Sequence, residues 1–146
     1  ARVSGDAQVS GNAWVYGDAQ VSGNAQVYDD ARVYGSARVS GDAQVSGNAW
    51  VYGDAQVSGD AWEVSPLQIR GTKYFFSVSS KTSIAIGCTN KTIDGWLESY
   101  ERDFEKYNFT ERERMEYKLY FNLAAALYGW KVPLFSIDGT DNGVTP

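Results

Sequence analysis

Two apolar positions return in every six residues along the first sixty positions of the chain. Alanine holds the first slot at each sixth position from Ala1 to Ala55, and valine the third from Val3 to Val57. Nearly every hexad reads Ala-x-Val-(Ser/Tyr)-Gly-(Asp/Asn), and the register never slips. Alternation over Ala-x-Val-x puts Ala and Val on one face and the two x residues on the other, which describes a very short, half-buried strand. The Gly-Asp or Gly-Asn pair that follows accepts positive φ at low steric cost and reads as a turn. A strand of four and a corner of two, repeated, must bend continuously in one sense. Three such sides close a triangular coil of 18 residues, with valines inside and alanines where the walls converge. Coils stacked at about 4.8 Å form parallel ladders, and ten hexads make just over three coils. A flexible Gly/Ser linker has no reason to keep valine in strict register.

The pattern breaks from Trp62 onward, where Glu63 takes the inward slot and Ser65-Pro66 ends the winding. Segments 67–70, 73–79 and 83–88 then read as short strands, with Gly71 and Ser80-Lys81 as turns. Ile93, Trp96, Leu97, Tyr100, Phe104 and Tyr107 fall at helical spacing. A second helix is predicted to start after Thr110, with Glu113 completing a capping box, and to stop at Gly129. Met115, Leu119, Leu123, Ala126 and Leu127 form its expected apolar stripe. Unpaired strand edges at the end of a solenoid template aggregation, so this segment has the evident task of a cap or oligomerisation module. The expected organisation is a β-helix over 1–64, a small α+β module over 65–137 and a flexible tail over 138–146.

The stretch VSGNAWVYGDAQVSGNAQV resembles the hexapeptide-repeat family of left-handed parallel β-helices, over residues 1 to about 62. Val9 and Ala13, or Val45 and Ala49, match that family's two inward positions. The resemblance implies the left-handed coil and assembly as a homotrimer. It also raises acyltransferase or zinc carbonic anhydrase activity, both of which use histidine in this family. The residue after valine is Ser or Tyr here, a departure from the enzyme-type pattern. SPLQIRGTKYFFSVSSKTSIAIGC, followed by IDGWLESYERDF and a second helix, resembles a module that follows hexapeptide repeats in phage and prophage proteins, over about 65–128. That likeness implies a bacterial or phage setting, and with it a counter-defence role: sequestering a signalling nucleotide or inhibiting a host immune protein.

Composition narrows these implications. The chain contains no histidine and one cysteine, Cys88. Histidine is the side chain that serves most readily as a neutral-pH base, so the usual acyltransferase base is missing, as is a Ser–His or Cys–His pair. One Cys without His is also a poor start for zinc. A non-enzymatic protein without cofactor or metal is therefore expected, with a degenerate acyltransferase as the competing reading. Cys88 follows Ile84, Ala85 and Ile86 and reads as a buried small hydrophobe. A net charge of −5 argues against nucleic acid as a partner. No run approaches a membrane span, so a cytoplasmic protein is expected. The repeat is already in register at Ala1, and further repeats are expected before it. Asp138 to Gly143 faintly resembles a calcium loop but lacks a distal acidic ligand.

Folding the repeat at 18 residues sorts the outward positions into three sides. Arg2, Gln20, Arg38 and Gln56 share one, beside serines; Gln8, Gln26 and Gln44 share the second. The third carries Trp14, Arg32 and Trp50 beside Tyr16, Tyr34 and Tyr52. Arginine between aromatic faces gains about 0.5–1 kcal/mol per exposed contact. An aromatic face on a Ser/Gln surface is what an interface looks like. Three uses compete for it: burial against a symmetry mate, packing under the C-terminal half of the same chain, or binding of a ligand such as a sugar ring, a nucleobase or a host protein. The expected function is an oligomeric, phage-associated scaffold or binding protein that contacts its partner through these six residues.

Overall fold

A computed structural model describes residues 1–132 and 135. The calcium-like stretch and the expected tail lie outside them. Ten two-residue strands wind through the repeats: β1 (Arg2–Val3), β2 (Gln8–Val9), β3 (Trp14–Val15), β4 (Gln20–Val21), β5 (Gln26–Val27), β6 (Arg32–Val33), β7 (Arg38–Val39), β8 (Gln44–Val45), β9 (Trp50–Val51) and β10 (Gln56–Val57). A further short strand, β11 (Ala61–Trp62), closes the winding. They stack as three parallel sheets in the orders β1-β4-β7-β10, β11-β8-β5-β2 and β3-β6-β9. Each repeat strand pairs with the one 18 residues away, so Val3 lies on Val21 and Val15 on Val33. This is a parallel β-solenoid of about three turns.

Its core is the pair of ladders that the hexad pattern dictates. Every valine from Val21 to Val57 and every alanine from Ala19 to Ala55 is fully buried. Each buried valine contributes about 1.5–3 kcal/mol of burial energy, repeated layer upon layer. Corners close where the alanine N–H donates to the carbonyl three residues back, as Ala7 does to Ser4 at 3.3 Å. Asp29 stands in a glycine slot at φ 57, and its carboxylate accepts from Gly47 N–H at 3.2 Å, which offsets the left-handed conformation. Asp29 and Asp30 are thus a variant corner.

One expectation about the end of the winding is corrected. Trp62, and not Glu63, takes the inward slot: β11 pairs Ala61 with Gln44 and Trp62 with Val45. Asp60 adopts φ 67, and the last coil is one residue short. A one-residue slip exchanges the two faces of a strand, so Ala61 turns outward and Trp62 is buried at 4 % exposure. Its indole N–H donates to the Gly59 carbonyl at 2.8 Å.

An antiparallel sheet follows: β12 (Gln68–Arg70), β13 (Phe75–Ser80), β14 (Ser83–Ile86) and β15 (Thr89–Thr92), in chain order. The fourth strand was not foreseen. Gly87 at φ 58 turns the chain between β14 and β15, so Cys88 sits in a turn and is exposed, contrary to the buried reading. This sheet packs with the solenoid as one compact unit. The last coil's backbone donors are met by side chains and by β13. Trp50 N–H donates to Ser65 Oγ at 2.9 Å, Tyr52 N–H to Gln68 Oε1 at 2.9 Å, Gln56 N–H to Ser77 Oγ at 3.2 Å and Ser58 N–H to the Ser79 carbonyl at 2.8 Å. Gln68 Nε2 also donates to the Trp50 carbonyl at 2.8 Å, so one amide side chain bonds this edge as a further coil's backbone would.

The second compact unit comprises Gly71–Lys73 and the described residues from Asp94 onward. Its helices are α1 (Ile93–Lys106, whose first residue belongs with the sheet) and α2 (Glu111–Tyr128). The Thr110/Glu113 capping box and the left-handed Gly129 stop are both present. Trp96, Tyr100 and Phe104 are buried as the spacing implies, while Tyr107 is exposed. On α2 the expected stripe is corrected: Met115, Leu119, Leu123, Ala126 and Leu127 are exposed, and Tyr117, Phe121, Ala124 and Ala125 are buried. The helix is apolar on two faces, and the aromatic one packs, with Phe121 against Trp96 and Phe135. Among the described residues no helix is long and apolar enough to cross a membrane.

Candidate functional site

The six aromatic and cationic residues meet on one face. Strands β3, β6 and β9 bring Trp14, Arg32 and Trp50 into direct register. The Arg32 guanidinium carbon lies 5.0 Å from the Trp14 ring centre and 5.5 Å from that of Trp50. Two residues further along each coil, Tyr16 and Tyr34 stack at 5.1 Å and 5° between planes, and Tyr34 and Tyr52 at 5.7 Å and 19°. The indoles meet this column edge-on: Trp14 against Tyr16 and Trp50 against Tyr34, each at 6.2 Å. Burial raises the Tyr34 phenol pKa, and the phenols of Tyr16 and Tyr52 raise it further against the lowering effect of Arg32. The Tyr34 phenol is therefore neutral at physiological pH.

A third column completes the face and was missed by the sequence reading. Asn12, Asp30 and Asn48 occupy the corner position beside the Trp/Arg column, and Asn12 Nδ2 donates to Asp30 Oδ1 at 3.3 Å. Together with Trp14, Arg32 and Trp50 they line an open groove of about 510 Å³. The same 18-residue sorting that found the aromatics would have found these residues. Residues 1–23 recur unchanged as 37–59, so two identical tiers of Asn, Trp and Tyr flank a middle tier of Asp30, Arg32 and Tyr34. Acidic corners elsewhere alternate with neutral ones in each stack, as in Asp6–Asn24–Asp42 and Asp18–Ser36–Asp54. That spacing keeps like charges from lying directly over one another.

The aromatics remain accessible. Trp14 is 58 % exposed and Trp50 44 %, with Tyr16 exposed and Tyr34 and Tyr52 half-buried. Tyr52 packs edge-on against Phe75, and the rest of the face has no such cover within its own unit. Arg32 forms no hydrogen bond or ion pair through its guanidinium among the described residues. Its donors are available while two indoles hold it in place. No cluster of three or more His, Cys, Asp or Glu among the described residues is arranged to hold a metal ion.

Hexad repeats, three parallel ladders and a valine core make residues 1–62 a repeat β-solenoid. The family model described as the YdcK beta solenoid repeat matches residues 1–17, 7–23, 25–41 and 43–59, and the repeat region belongs with such solenoids. No curated protein and no solved structure matches the chain.

Proposed function

We propose that this chain is a non-enzymatic binding protein whose solenoid presents the Trp14–Arg32–Trp50 face to a partner. One observation carries the reading: two tryptophans stay largely exposed although the same fold fully buries every valine from Val21 to Val57. Exposed indoles fixed by a shared cation lose little freedom on binding, which is how rigid recognition surfaces gain affinity. The lack of histidine in the sequence supports the non-enzymatic part. A phage-associated setting, which the C-terminal resemblance implies, and a cytoplasmic location belong to the same proposal. So does self-assembly, in which the partner is a second copy.

Native mass spectrometry of the gently purified chain, beside the Trp14→Ala/Trp50→Ala double variant, tests it. The expected result is an oligomer or a retained ligand in the parent that the variant loses while keeping its circular dichroism spectrum. Identical spectra for both proteins, without ligand, would overturn it.

A further inference from the structure

The groove beside the aromatic column has a composition that selects among ligands, and the selection rests on the binding reading above. Its six lining side chains are two indoles, two primary amides, one carboxylate and one guanidinium. Asp30 and Arg32 cancel in charge, so a strongly charged ligand gains no net attraction from the middle tier. A nucleobase would use the indoles and some of these groups, but the phosphates of a nucleotide would meet no net positive charge here. Asp30 offers acceptor sites only, Arg32 donors only, and Asn12 and Asn48 offer both. Such a set matches a ligand whose polar groups are hydroxyls, each donor and acceptor at once, carried on a ring with apolar C–H faces for the indoles.

Geometry narrows the choice to a chain of such rings. The lining residues repeat in three tiers, set by the pairing of Trp14 with Arg32 and Arg32 with Trp50. Tiers one strand apart lie about 4.8 Å from each other, close to the length of one hexose unit along a linear glycan. The outer tiers are chemically identical, Asn12/Trp14 and Asn48/Trp50, as a ligand with a two-unit repeat would require. Arg32 between the indoles fixes them before binding. We infer that this groove binds a neutral linear oligosaccharide, one sugar unit per tier.

The test is a glycan array carrying neutral and acidic oligosaccharides, followed by isothermal titration with the strongest neutral binder at one to five units. Affinity is expected to rise up to three units and then level off. Trp14→Ala and Trp50→Ala, each folded by circular dichroism, are each expected to weaken binding roughly tenfold or more. Asp30→Asn, which keeps the corner's size and hydrogen-bonding reach, is expected to weaken it less. Binding confined to acidic glycans, an array without signal, or affinity unchanged in both tryptophan variants would overturn the inference. An array without signal together with a difference between parent and double variant in native mass spectrometry removes the carbohydrate alone. An array without signal together with identical mass spectra removes the binding reading as well.

Discussion

The solenoid and the helical unit solve one problem, the burial of apolar surface, by opposite means. The solenoid repeats one small solution: Val21 to Val57 are interchangeable, each fully buried over another valine. The helical unit uses each large side chain once. Phe121 lies 6.0 Å from Trp96 and 5.7 Å from Phe135, Tyr100 lies 4.9 Å from Phe135, and Phe109 lies 5.2 Å from Tyr117. Repetition leaves the solenoid's outward positions outside the valine core, and that is where Trp14, Arg32 and Trp50 are found. In the helical unit, single groups carry structural tasks. Thr110 and Glu113 cap α2, and Glu116 accepts from the Thr72 hydroxyl, from Thr72 N–H at 2.9 Å and from Tyr120 at 2.5 Å.

The largest effect should come from a charge in the ladder. Val39 lies between Val21 and Val57 with no exposure. Val39→Asp buries a carboxylate with no partner and is expected to cost more than about 4 kcal/mol. Loss of the β signal in circular dichroism at room temperature is the readout. A folded Val39→Asp protein would mean the coils stack without a continuous core. Next, Phe121→Ala empties an aromatic site and should cost about 3–5 kcal/mol. Hydrogen exchange should show the loss in the amides of α1 and α2, with the amides of β4 to β9 keeping their protection. Equal loss in both would show that the two units do not hold their stability separately.

Gln68→Ala addresses the point where repetition stops. It removes the acceptor of Tyr52 N–H and the donor to the Trp50 carbonyl, both near the solvent edge. The expected cost is about 1–3 kcal/mol, seen as faster exchange at Tyr52 and at no coil below it. Faster exchange throughout would make the cap a condition of winding and not a local seal.

The sequence carried the solenoid and its face because strict period converts position directly into place. Trp14, Arg32 and Trp50 sort into one column by counting alone. The same counting failed where a backbone event intervened: nothing in Gly59-Asp60-Ala61-Trp62 announces that Asp60 will turn left-handed and shift Trp62 inward. It failed again on α2, where apolar residues line two faces and spacing cannot say which one packs. Leu119 and Phe121 both fit a helical stripe, and the larger ring took the interior. Cys88 was misplaced because the strand ends one turn earlier, at Ile86. The Asn12, Asp30 and Asn48 column was legible, but polar corner residues look like turn chemistry alone.

Acid separates the units with a smaller effect. Burial tends to raise the Glu116 pKa, but hydrogen bonds from the Thr72 and Tyr120 side chains and the Thr72 backbone, with the charge of Arg112, hold it below the usual carboxylate value. A carboxylate depressed on folding stabilises above its unfolded pKa of about 4.3, and that contribution fades as pH falls through the folded value. The protection factor of the Thr72 amide, corrected for intrinsic exchange at each pH, should therefore fall below about pH 4.3 in the parent. That loss of protection should be absent in Glu116→Gln, whose side chain does not titrate.

The smallest effect on stability belongs to the residues expected to matter most for binding. Trp14 and Trp50 touch Arg32 and the tyrosine column, and neither contributes to the valine core. Removing one indole deletes a cation–π contact of about 0.5–1 kcal/mol at an exposed site, together with one edge-on contact to tyrosine. Trp14→Ala and Trp50→Ala should therefore each lower the melting temperature by only a few degrees, on the order of 4–8 °C per kcal/mol for a domain of this class. Arg32→Ala, which removes both cation–π contacts together, should cost at least as much as either. A drop as large as that of Phe121→Ala would make the indoles part of the fold. Their exposure would then need no partner to explain it.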